Sequence, residues 1–231
     1  MATPPDDRDW DPSTSAHRRM LRIHANDGLI AAAGIIQGLN RAGATGAEAM
    51  VAAVATMIVG GLLVFGAEFG EAASERDSQL AIIEAERLRL EMSPQEEFDE
   101  LVGIYRAKGL SARVAHEVAQ ELSDKDALAA QLDAEYGIRE WGDIVRPVRV
   151  GSWCAAAFVV GSAIPVPFLT IVPLLAREVA LVVVVAVALT ASAVIGARSD
   201  RTNALQSVLR TLGIGLGTMG ISLFAGSLVS F

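Results

Sequence analysis

The chain has 231 residues, 52% of them hydrophobic and only 5% aromatic, with a mean hydropathy of +0.41. A soluble domain of this length is seldom so apolar, and a formal net charge of −8 argues against nucleic acid as a partner. One cysteine, Cys154, excludes a disulfide framework and a cysteine-based metal site within one chain.

The apolar residues gather in Ala44–Ala67, Gly151–Ala176, Val179–Ala197 and Thr211–Phe231, with a shorter run at Gly28–Leu39. Runs near twenty residues with few charges suit a bilayer core of about 30 Å. The expected fold class is an all-α membrane protein with five transmembrane helices and a helical domain inserted between the second and third. The expected divisions are a disordered tail at 1–17, helices one and two at 18–67, the insert at 68–143, and helices three to five at 144–231. Met1–Thr14 is rich in Pro and Asp and has no apolar centre, so it does not read as a signal peptide.

The first span reaches membrane length only if Ile23, Asn26 and Asp27 are counted in it. An ionisable Asp27 inside a bilayer is costly and points to function. The other reading is a helix cap at the interface, beside Gly28. Gly34 and Gly38 form a small-xxx-small pair suited to close helix contact. Span two covers about Ala47 to Ala67, with Met50 and Met57 as packing residues. Helical apolar spacing continues through Phe69, Ala72, Leu80, Ile83 and Leu88, so one helix runs on to about Met92. Ser93-Pro94-Gln95-Glu96 has the pattern of a capping box with proline at the first helical position. Helices are expected at Pro94–Lys108, at Ala112–Leu122 after Ser111, and at Asp124–Tyr136 after Ser123, with Gly137 as the stop. Pro165, Pro167 and Pro173 break the far half of span three. Arg177 and Glu178 fall in the next turn, span four is Val179–Ala197, and span five starts near Leu205.

Ser74–Asp143 holds 17 acidic and 8 basic residues, an excess of nine. Taken alone, such a run is most often a solvated face. Arg18, Arg19, Arg22, Arg139, Arg146, Arg149, Arg198 and Arg201 fall on one side of the expected topology, against Arg41 and Arg177 on the other. This places the N-terminus and the acidic insert in the cytoplasm. Seventeen Arg against two Lys points to a GC-rich bacterial genome and hence to a plasma membrane.

An ordered set of short motifs resembles the vacuolar iron transporter family. It comprises Asn26-Asp27-Gly28-Leu29, Glu68-Phe69, Ser74-Glu75-Arg76-Asp77, Glu97-Phe98-Asp99-Glu100 continuing to Leu110, Val118–Leu128 with Glu121 and Asp126, Glu135-Tyr136-Gly137, and Arg146-Pro147-Val148-Arg149. The likeness runs from about Arg18 to the end. It implies a homodimer that moves Fe²⁺, often also Mn²⁺, out of the cytosol in exchange for protons, with no enzymatic chemistry and no organic cofactor. It also implies a pathway aspartate at Asp27 and metal-binding glutamates at Glu86, Glu97, Glu100 and Glu135. The family's pathway methionine falls at Val64, a further glutamate at Arg89, and paired methionines near Gln131 and Leu132. These departures point to harder, all-oxygen ligation, with Mn²⁺ or Fe²⁺ as the ion.

The residues support that chemistry on their own. Glu97 and Glu100 are three apart on one helix face and can join Glu86 and Glu135 around a divalent ion. Glu117 and Glu121, beside His116, form another such face. The alternative for each pair is solvation and salt bridging, for example Glu97 with Arg89. A buried Asp27 holds a metal or a proton but not both, which is the basis of exchange. Glu68 can pass the ion to Asp27, and His24, one turn before Asp27, reads as an interfacial residue, with a proton partner as the alternative. Two copies of span one in a dimer would present Asp27 twice, with Gly34 and Gly38 aiding their approach. The rival reading is a membrane-anchored metal-binding or storage protein that does not transport.

Overall fold

The computed structural model describes residues 15–139 and 143–229. The described residues are helical, in the order α1 (Ser15–Ala42), α2 (Gly46–Met92), α3 (Pro94–Ala107), α4 (Ala112–Gln131), a π turn (Leu132–Tyr136), α5 (Arg146–Ala163), α6 (Phe168–Ile171), α7 (Leu174–Ser199) and α8 (Ala204–Leu228). The expected tail at 1–14 lies outside the described residues, and α1 already includes its last three positions, 15–17. The chain forms two compact units. One is Glu71–Val145; the other takes the flanking segments up to Gly70 and from Arg146 onward.

Among the described residues, four helices are long and apolar enough to cross a membrane, within Gly46–Met92, Arg146–Ile171, Ala176–Ser199 and Ala204–Leu228. The chain is a multi-pass membrane protein. The first of the five expected spans is not among these four: α1 is as long as the others, but Arg18, Arg19, Arg22 and Asp27 dilute its apolar run. In the membrane unit α1 packs along α5 and α8, and α7 packs on both α1 and α8. Leu29 and Ala33 meet Val185, Leu189 and Met219, while Ile36 meets Ala49, Ala53, Leu169 and Leu181. Lipid is as apolar as these side chains, so close packing of small residues must hold such helices together. A methyl group on Gly28 would stand 2.1 Å from the Phe158 carbonyl oxygen, and one on Gly161 would stand 1.9 Å from that of Ala25. α1 and α5 therefore touch backbone to backbone.

Gly34 and Gly38 face Ser222 of α8, and Gly226 faces the Gly38 carbonyl. The small-residue face expected to join two copies of span one is thus already filled within the chain. The face of α1 left open carries Ile23, Asp27 and Ile35. Asp27 sits well inside α1, not at its start, so the capping alternative falls.

Helix starts follow from which donors are already in use. At α2, the Thr45 hydroxyl accepts from the Glu48 N–H at 3.3 Å, and the Glu48 carboxylate accepts from the Thr45 N–H at 2.7 Å. This is a closed capping box. The same pattern at Ser93–Glu96 does not close. The Ser93 N–H is already donated to the Arg89 carbonyl at the end of α2, and the Ser93 side chain makes no capping bond. The next expected start, Ser123, is also corrected. α4 runs through it and bends at Asp126 (φ −166, ψ 97), whose carboxylate accepts from the Ala129 N–H at 3.0 Å. Asp126 is the cap, because its backbone is the one that leaves helical geometry. Gly137 ends the π turn in the left-handed conformation (φ 69), as expected for a C-terminal glycine.

Span three breaks after Ala163, before Pro165 and Pro167, and resumes as the single turn of α6. Arg177 is not in a loop. It lies in α7, buried, and donates to the Leu169 carbonyl at 2.7 Å and to that of Val172 at 3.2 Å. Those carbonyls end α6 and have no helical donor of their own.

Candidate metal centres

The acidic unit gathers two of its glutamates in a buried place. Glu86 on α2 is fully buried and Glu97 on α3 nearly so. Leu101, Ala119 and Ala130 form the adjoining core, with Phe98, Val102, Tyr105 and Leu122 around it. Burying a side chain such as Leu101 contributes about 1.5–3 kcal/mol, so the packing can hold carboxylates out of water. Burial pushes the Glu86 carboxyl up to about 7. Arg89 opposes the rise, and the charges of Glu97 and Glu135 add to it. The Arg89 guanidinium lies 2.7 Å from Glu86 Oε2 and donates to the Tyr136 hydroxyl at 2.6 Å. The contact with Glu86 is an ion pair without hydrogen-bond alignment, and Oε1 of Glu86 and Oε2 of Glu97 are buried without donors. Arg89 thus pairs with Glu86 rather than with Glu97. The Gln131 side-chain amide donates to the Glu97 backbone carbonyl, and its own oxygen is buried and free.

The other acidic candidates separate from this pair. Glu135 is exposed at the π turn but within electrostatic reach of Glu86, and Glu100 is exposed on α3. Glu117 is exposed and bonded to Arg113 at 2.8 Å; Glu121 is exposed; His116 lies edge-on to the Phe98 ring at 5.2 Å. The Glu117–Glu121 face therefore has the form of a solvated, salt-bridged surface. Among the described residues, the carboxylates of Glu86, Glu97 and Glu135 do not bring three ligand atoms within 4.8 Å of one another.

The membrane unit does bring three together. His24 of α1, Glu68 of α2 and Cys154 of α5 offer ligand atoms that all lie within 4.8 Å of one another. His24 Nε2 is 2.8 Å from Glu68 Oε1, and both side chains are mostly buried, at 14% and 17% exposure. Cys154 is fully buried and is a free thiol. Nδ1 of His24 is buried with no partner. His24 is thus tied to Glu68 rather than standing free at an interface, and this cluster is not all-oxygen. Val64, one turn before Glu68, is half-buried and brings no sulfur. The exclusion of a cysteine-based site from the cysteine count is corrected here: one thiol suffices in a mixed cluster, and sequence reasoning missed Cys154 because nothing in local spacing links residues 24, 68 and 154. The available signal was a lone thiol inside an otherwise apolar span. Asp27 lies one turn beyond His24, on the open face of α1.

Comparison with known proteins adds two findings. A curated relative from Acanthamoeba castellanii bearing the name vacuolar iron transporter is 34% identical over 144 residues, which are 62% of this chain and 51% of that protein. The chain spans about half the length of this relative. The sequence model of the VIT family matches residues 20–227, from α1 to the last turn of α8, and the chain belongs to that family.

Proposed function

We propose that the protein moves a divalent metal ion, Fe²⁺ or Mn²⁺, out of the cytosol across a membrane by exchange with protons. The observation that carries this reading is the buried pair Glu86 and Glu97, in which Glu86 Oε1 and Glu97 Oε2 lack donors and Glu86 also feels the charge of Glu135. Buried carboxylates left without donors are costly unless a cation completes them. The name of the Acanthamoeba relative, vacuolar iron transporter, supports iron as the cargo. In this reading α1 is a fifth span, the arginine distribution puts the acidic unit in the cytoplasm, and Glu86, Glu97, Glu100 and Glu135 load the ion. Glu68 and Asp27 then carry it. The open stripe Ile23–Asp27–Ile35 supports a homodimer in which two copies of α1 face each other and Asp27 acts twice on one ion. Metal and proton compete for the same carboxylates, which couples their movements. The arginine-rich composition favours a bacterial plasma membrane.

Reconstitution in liposomes tests this. Fe²⁺ and Mn²⁺ uptake is followed together with internal pH. The expected result is metal entry with opposite proton movement, abolished in Asp27→Asn. If no metal moves under any imposed gradient, transport is the wrong reading.

A further inference from the structure

We propose that His24, Glu68 and Cys154 form a second metal site, inside the membrane unit, which takes a borderline divalent ion through one thiolate, one imidazole and one carboxylate. Three different helices supply the ligands, and no two are near in sequence. Chance surface clusters of acids are exposed; here Cys154 is fully buried and the other two are mostly so. The 2.8 Å contact between His24 Nε2 and Glu68 Oε1 is a hydrogen bond, so one proton already occupies the place that a cation would take. The other imidazole nitrogen is buried and unsatisfied, which is costly in a low-dielectric interior.

The spread of up to 4.8 Å is wider than that of ligands around a bound ion, whose bonds are about 2.0–2.3 Å. Small side-chain rotations close it. Binding expels the thiol proton and the one proton shared between His24 Nε2 and Glu68, leaving a thiolate, a carboxylate and a neutral imidazole that keeps its proton on Nδ1 and offers the Nε2 lone pair. Three protein ligands leave one position of a tetrahedral ion open, so an incoming or departing donor can exchange there. Sulfur and imidazole favour Co²⁺, Fe²⁺ and Zn²⁺ over Mg²⁺ and Ca²⁺, and rank Mn²⁺ below Fe²⁺. As a station on a transport route the site rests on the function proposed above; as a binding site it does not.

Cys154 is the single cysteine of the chain, which makes the test direct. The full-length protein in detergent micelles is titrated with Co²⁺. The expected result is a near-ultraviolet sulfur-to-cobalt charge-transfer band with strong visible bands of a tetrahedral ion. The band should remain in a Glu97→Ala, Glu100→Ala double variant and vanish in Cys154→Ser. In parallel, Co²⁺ should slow maleimide labelling of the unmutated protein's only thiol by roughly tenfold or more, and His24→Gln or Glu68→Gln should abolish that protection. A band that survives Cys154→Ser, absence of any band in the parent, or labelling indifferent to Co²⁺ would overturn the site. Liposome flux is read separately. Binding without flux refutes transport and leaves this site standing; flux without a thiolate band does the reverse.

Discussion

Arg89 holds its guanidinium 2.7 Å from Oε2 of Glu86, one turn earlier on the same helix. The cation stands where a metal ion would be drawn, so it competes for the carboxylate it stabilises. Arg89→Gln should therefore tighten Mn²⁺ binding to the full-length protein in detergent by roughly tenfold, about 1.4 kcal/mol. Calorimetric titration measures this. Tyr136→Phe removes the 2.6 Å hydrogen bond to Arg89 but leaves the charge, and should leave the affinity unchanged. An Arg89→Gln affinity equal to the parent's would show that the guanidinium does not guard the site.

The Glu86 carboxyl, raised by burial from 4.5 to about 7, gives the acidic unit a pH dependence of definite sign. Between these values the folded chain holds a proton that the unfolded chain has lost, so stability falls as pH rises through that window. Below 4.5 and above 7 this group contributes no slope. Hydrogen exchange of α3 and α4 amides should slow as pH falls from 7.5 to 5.5, after correction for intrinsic exchange. Glu86→Gln should flatten that trend, and saturating Mn²⁺ should reverse it. A trend that persists in Glu86→Gln belongs to another group.

Steric contacts of the glycines predict opposite outcomes at two positions. Gly161→Ala puts a methyl 1.9 Å from the Ala25 carbonyl oxygen and should destabilise by at least about 1–3 kcal/mol. Gly213→Ala in α8 meets nothing within 4 Å and should be neutral or stabilise by about 0.5–1 kcal/mol, because alanine is the better helix former. Thermal unfolding in detergent, followed by circular dichroism, separates the two. Equal melting temperatures would contradict the backbone contact of α1 with α5.

Arg177→Met keeps the length of the side chain but removes the donors to the Leu169 and Val172 carbonyls. Leaving those groups unpaired should cost about 1–3 kcal/mol. The local readout is proteolysis within 164–173. Susceptibility there should rise in Arg177→Met and not in Arg198→Met, since Arg198 lies at the far end of α7.

Much of the helical frame was legible because local chemistry specifies it. Pro94 at a first helical position, Gly137 after the last turn, and the proline run after Ala163 act through φ and through missing donors alone. What failed needed knowledge of neighbours. Ser93 has the residue type of a cap, but the preceding helix had already taken its N–H. Gly34 and Gly38 showed a contact face but not which helix fills it. The candidate loading site was partly readable, since Glu97 sits at a helical interval from a hydrophobic stripe that pulls it inward. Its division into buried Glu86 and Glu97 against exposed Glu100 and Glu135 depends on how α2, α3 and the π turn pack. The grouping of His24, Glu68 and Cys154 had no local signature at all, because three helices must assemble before it exists.

The glycine contacts between α1 and α5 carry a mechanical consequence. A joint made of main chain against main chain has no rotamers to switch, so it acts as a weld and not as a hinge. His24 and Cys154 stand on opposite sides of this weld, which fixes their spacing. Glu68 stands on α2, which also meets α5 at main chain: a methyl on Gly151 would stand 2.9 Å from the Phe65 carbonyl oxygen. α5 is thus the common post to which both other ligand-bearing helices are fixed.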